Sequence, residues 1–95
     1  MTIFTILMPQ PQPELAAEIM RQYPTDHFAL NDTQWLVSSK QTVMEVSNSI
    51  GVSSLDQNFV PKGLAVIFAT SSYYGRAPTT VWDWIKVKLE GVPGG

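Results

Sequence analysis

Residues 27–39 read HFALNDTQWLVSS, and the fold turns on how this stretch divides. His27 to Leu30 and Gln34 to Val37 are short β-prone runs, and Asn31, Asp32 and Thr33 between them are residue types that tolerate the positive-φ positions of tight turns. The spacing predicts an antiparallel hairpin.

Upstream, Thr2 to Met8 is β-branched and aromatic and is halted by Pro9, Pro11 and Pro13, as a buried strand running into a loop would be. Pro13 suits the first turn of a helix, where a missing N–H costs nothing. Leu15, Ala16, Ile19, Met20 and Tyr23 follow at helical spacing until Pro24. Downstream, Ser38 or Ser39 is the expected cap of a second helix with a thin stripe of Val43, Val46, Ser47 and Ile50, stopped by Gly51. Val52 to Lys62 reads as a connection whose Leu55, Phe59 and Val60 should tuck onto the core. Gly63 to Thr70 is the clearest strand, with Leu64, Val66 and Phe68 on one face and Ala65, Ile67 and Ala69 on the other. After a loop, Ser71 to Pro78, Thr79 or Thr80 is expected to cap a last helix that lines up Val81, Trp82, Ile85 and Leu89. Asp83 lies toward the positive end of its dipole, and Lys86 and Lys88 toward the negative end.

Strand–helix–strand thus occurs twice, which is the double unit of an α+β, ferredoxin-like βαββαβ sandwich, here with an added C-terminal helix. The expectation is one domain over residues 1–90 and a flexible tail over 91–95. The first strand places Ile3 and Leu7 on one side and Phe4, Ile6 and Met8 on the other. Both faces of the sheet must therefore be covered, by the tryptophan helix or by a second copy of the chain.

Only 15% of the 95 residues are charged while 44% are hydrophobic, a balance that argues against disorder and for an association surface. The net charge of −2 gives no general attraction for phosphate, so nucleic acid is disfavoured as a partner. With no cysteine, disulfides and thiolate metal sites are excluded, and a cytoplasmic setting is the expectation. Met1 to Met8 lacks a basic flank and a cleavage-like site, and no apolar run is long enough for a membrane span.

Chemistry is harder to find. Glu14 and Glu18 are an i, i+4 pair of like charge, better read as a solvated helix face than as a metal pair. Asp32 and Asp56 fit turns. His27 and Asp26 are neighbours on a strand and point to opposite faces, which leaves the sole histidine without an obvious acid. The serines fit caps and turns more simply than a nucleophile needing a base and an orienting acid. No residue set asks for a cofactor, a metal or a catalytic role. Tyr73, Tyr74 and Arg76 form the one constellation suited to binding, since aromatic faces and a guanidinium on a loop can stack bases or anchor a protein; packing over the sheet edge is the plainer alternative. Trp35, Trp82 and Trp84 are candidates for core or dimer contacts. Gly94-Gly95 matches the end of ubiquitin-like modifiers, but a helix just before it is not their pattern.

The order of elements, with LNDTQWLVSS at Leu30–Ser39 ahead of the second helix, resembles the small CRISPR-associated integration-subunit family and its non-CRISPR ferredoxin-like relatives, over about residues 2–70. The resemblance implies their fold and dimerisation through paired sheets. Nuclease members of that family carry an aspartate just after strand one, whereas this chain has Met8-Pro9-Gln10-Pro11. The extended last strand is replaced by Thr79 to Leu89, which favours the non-CRISPR relatives. The leading expectation is a non-catalytic homodimeric interaction module. The alternative is a nucleic-acid-binding or nuclease-like protein using Arg76, Lys86 and Lys88, and a small-ligand site under the Tyr73/Tyr74 loop is a third reading.

Overall fold

A computed structural model describes residues 2–70 and 79–90. In chain order the elements are β1 (Thr2–Leu7), α1 (Pro13–Gln22), β2 (His27–Ala29), β3 (Gln34–Ser39), α2 (Val43–Ser49), β4 (Val66–Thr70) and α3 (Thr79–Ile85), the last continuing into a π-type turn, Lys86–Glu90. The strands form one sheet in the order β2-β3-β1-β4, and every neighbouring pair is antiparallel. This is a ferredoxin-like α+β arrangement, with β1 and β3 in the middle.

Directly opposed residues in an antiparallel sheet share a face, so the registers sort the side chains. Phe4, Ile6, Trp35, Val37 and Ile67 share one face. There they pack with Met8, Leu15, Ile19, Tyr23, Val46 and Ile50 as the larger core, under α1 and α2. Ile3 and Leu36 lie on the opposite face and join Val81 and Ile85 in a smaller core, flanked by Phe28, Trp82 and Trp84. The tryptophan helix therefore closes its own sheet. Val81 and Ile85 are buried, as their spacing predicts; the Leu89 side chain lies outside the described residues.

Several boundaries differ from the sequence reading for identifiable reasons. Ser38 and Ser39 do not cap α2. They extend β3 opposite Ile3 and Thr2 and are buried. The cap is Thr42, whose hydroxyl accepts from Glu45 N–H while the Glu45 carboxylate accepts from Thr42 N–H, a reciprocal capping box. The 31–33 turn uses no positive φ; Asn31 instead takes the Thr33 N–H on its side-chain oxygen at 2.8 Å. Gly51 does stop α2 with φ +85°, a conformation costly for any residue with a Cβ.

Residues 51–62 do not tuck inward. Leu55 and Val60 are 88% and 82% exposed, and Phe59 is only half-buried. The base of the segment is closed by Lys62 N–H donating to Gly51 C=O at 2.9 Å, and its tip is held by Asn58 N–H on the Asp56 carboxylate at 2.9 Å and Asp56 N–H on the Ser54 hydroxyl at 3.1 Å. It is an Ω-type loop closed on its own hydrogen bonds, and only Val52 at its start packs against the larger core.

The start of β4 depends on a side chain rather than a strand. Extending the β1–β4 register places Pro9 opposite Leu64, and proline has no N–H to give. Gln12 supplies both missing groups: its Nε2 donates to Leu64 C=O at 2.6 Å and its Oε1 accepts from Leu64 N–H at 2.7 Å. Gly63 admits this approach, because a Cβ there would lie 2.6 Å from Gln12 Oε1 and 3.1 Å from the Leu15 side chain. Gly63→Ala is expected to destabilise the fold by about 1–3 kcal/mol, read as a lower urea midpoint, and a midpoint equal to that of the parent would show that the clamp carries no stability.

Candidate functional site

The polar groups are largely committed to structure. The Glu18 carboxylate, on a residue only 7% exposed, accepts from Arg21 Nε at 3.0 Å and Gln22 Nε2 at 2.9 Å, with Lys62 Nζ 3.7 Å away. The Arg21 hydrogen bonds, helped by Gln22, hold its pKa down to about 2 against the opposing effect of burial. Tyr23 donates to Gln41 Oε1 at 2.6 Å, Ser39 donates to the same oxygen at 3.0 Å, and Gln41 Nε2 donates to Ser49 at 3.1 Å. This network ties α1, β3 and α2 together. Burial pushes the Tyr23 phenol above its ordinary pKa, an effect the Ser49 hydroxyl partly offsets.

His27 has its Nδ1 2.6 Å from Tyr23 C=O and its ring 5.9 Å from that of Trp35, so it is held as part of the β2 edge. Its neighbour Asp26 pairs instead with Lys88 at 2.6 Å, pinning the turn after α3 to the end of β2. Phe28 and Trp84 meet in a tilted contact at 5.9 Å just inside that pair. Among the described residues no three His, Asp or Glu side chains are grouped to hold a metal ion. Among the described cations, Arg21, Lys62 and Lys88 are engaged with carboxylates, while Lys40 and Lys86 are exposed.

What stands open is apolar. The small helix α3 covers Ile3, Leu36 and Phe28 but leaves the β1–β4 end of that face bare: Leu7, Val66 and Phe68 are 38%, 56% and 51% exposed. They lie side by side, since Leu7 opposes Val66 and Phe68 opposes Thr5. Leu64, also exposed, continues the row. A cleft of about 410 Å³ runs beside it, lined by Leu7, Met8, Pro9, Val52, Leu64, Ala65 and Val66. A second cleft of about 260 Å³ lies against α1, lined by Pro11, Gln12, Pro13, Ala16, Asp32 and Trp35. The Trp35 indole N–H is buried without an acceptor among the described residues, and the same residue lines the second cleft.

Of the residues singled out in the sequence, Trp35 sits in the larger core, while Trp82 and Trp84 flank the smaller one. Tyr73, Tyr74 and Arg76 lie outside the described residues. The open row on β1 and β4 was signalled by the alternation of Leu64, Val66 and Phe68; the shortness of α3, which leaves that row uncovered, was not. Against family models, curated proteins and solved structures, the chain finds no match. Among the described residues no helix is long and apolar enough to cross a membrane.

Glu18 makes the acid response specific. Its folded pKa near 2 lies below the ordinary 4.5, so its stabilisation is complete above about pH 4.5 and is lost as pH falls toward 2. Glu18→Gln should be less stable than the parent at pH 7, with the difference shrinking as pH drops through that window. A pH-independent difference in urea midpoint between the two proteins would show that the Arg21 pair does not depress the pKa.

Proposed function

We propose that the chain is a non-catalytic interaction module that acts as a homodimer. The observation that supports this best is the row Leu7, Leu64, Val66 and Phe68, exposed on a sheet face that α3 covers only in part. Exposed apolar side chains in a continuous group mark contact sites more often than chance, and twofold pairing of like chains is the commonest way to bury one. The low charge of the chain points the same way. The committed hydrogen bonds of His27, Glu18 and Asp26 leave these groups structural rather than reactive. Trp82 and Trp84, packed against their own sheet, contribute to the dimer by fixing where the open face begins.

The nucleic-acid reading, including kinship with the CRISPR-associated family, draws support from the strand order alone. The acidic net charge and the pairing of Lys88 with Asp26 weigh against it.

Sedimentation equilibrium is expected to show a concentration-dependent dimer at micromolar protein. Phe68→Glu, at a position already half-exposed, should shift it to monomer by at least about tenfold in dissociation constant, with an unchanged circular dichroism spectrum. A parent protein that stays monomeric at high micromolar concentration overturns the reading.

A further inference from the structure

The backbone directions along the sheet specify how a second copy would join. Met8 N–H donates to Thr33 C=O on the β3 side at 2.8 Å. Backbone groups alternate sides along a strand, so Ile6 and Phe4 also turn toward β3, and Leu7, Thr5 and Ile3 turn toward β4. Their opposite residues Val66, Phe68 and Thr70 therefore spend their N–H and C=O groups on β1. The bond from Leu30 N–H to Gln34 C=O on the far side of β3 follows the same alternation. Ile67 and Ala69 are left with backbone groups aimed away from the sheet, and among the described residues no strand lies beyond β4.

The two edges of the sheet are unequal. β2 has three residues and is flanked by the Asp26–Lys88 pair, the short and charged kind of edge that resists pairing. β4, with sequence VIFAT, has no charge, proline or bulge to protect it, and the sequence from Gly63 to Gly75 holds no charged residue. Val66 and Phe68, on the open face of that edge strand, are 56% and 51% exposed, so apolar side chains stand beside the unpaired edge.

Resting on the homodimer reading above, we propose that two copies join β4 to β4 antiparallel about a twofold axis at Ile67, making one eight-stranded sheet. Ile67 and Ala69 are the outward-bonding residues, and this register pairs Ile67 with its own copy and Ala69 with Ala65 of the other. On the open face it sets Val66 against Phe68 of the second copy, twice, and these cross-strand pairs cover part of each other's exposed side chains. The occupant is self-complementary because any strand paired antiparallel with itself is isologous.

The absence of cysteine gives a clean test. In this register positions 66 and 68 form non-hydrogen-bonded pairs with Cα atoms about 4.5 Å apart, within disulfide reach. Val66→Cys combined with Phe68→Cys should give disulfide-linked dimers under mild oxidation, while either single substitution should not. Self-linking of the Phe68→Cys protein alone would overturn the register. Hydrogen exchange on the unmodified chain guards against variants that fail to fold. The amides of Ile67 and Ala69 should exchange at least about tenfold more slowly at dimer-forming concentration than when dilute, and those of Val66 and Phe68 slowly at both. If the chain sediments as a dimer but Ile67 and Ala69 exchange quickly and no cross-link forms, edge pairing is wrong and the homodimer stands. A monomer by sedimentation removes both.

Discussion

Strand β1 is apolar on both sides, and that single constraint organises the molecule. Ile3, Phe4 and Ile6 are each almost fully buried, although Ile3 points away from the other two. No single layer of helices can bury both sets. The chain answers with α1 and α2 on one face and α3 on the other, so the sheet is the middle of three layers. The third layer is thin: α3 and the π-type turn that continues it span residues 79–90, and their apolar contacts are with Phe28, Leu36 and Ile3.

The junction of β1 and β4 shows how a sheet is sustained where its backbone runs out. Pro9 ends β1, and three prolines in five residues turn the chain away, yet β4 still needs a partner at Leu64. A glutamine amide carries a donor and an acceptor in the same spacing as a peptide group, which is why Gln12 can stand in for one. The substitution works because α1 begins immediately afterwards and holds Gln12 at its N-terminal boundary, and because Gly63 leaves room.

The strand and helix order was legible in the sequence because it rests on local signals: prolines at Pro9, Pro13 and Pro24, alternation over Leu64–Ala69, and helical spacing in α1. The limits of legibility are equally physical. Ser38 and Ser39 look like caps in isolation, and only the pairing with Thr2 and Ile3 makes them strand. Leu55 and Val60 look like core residues, yet the 51–62 loop closes on hydrogen bonds of its own and leaves them in water. The candidate surface was half visible. Alternation announced an apolar face on β4, but its exposure depends on how far α3 reaches, and no residue of β4 encodes that length. The groups whose roles were misjudged, Glu18 above all, act through partners three or four residues away and through Lys62, and their value is set by that company.

Because the sheet carries two cores of unequal size, its two faces need not let go together. The larger core is tied by the Tyr23–Gln41–Ser49 network and the Glu18 ion pairs, whereas the smaller one gathers Ile3, Leu36, Val81 and Ile85, with the Lys88–Asp26 pair and the Phe28–Trp84 contact at its side. Were the C-terminal layer to lift while the rest stayed native, Ile3, Phe28 and Leu36 would join Leu7, Val66 and Phe68 in one apolar sheet face, so the reach and hold of a single helix govern how much apolar surface the sheet shows to its surroundings.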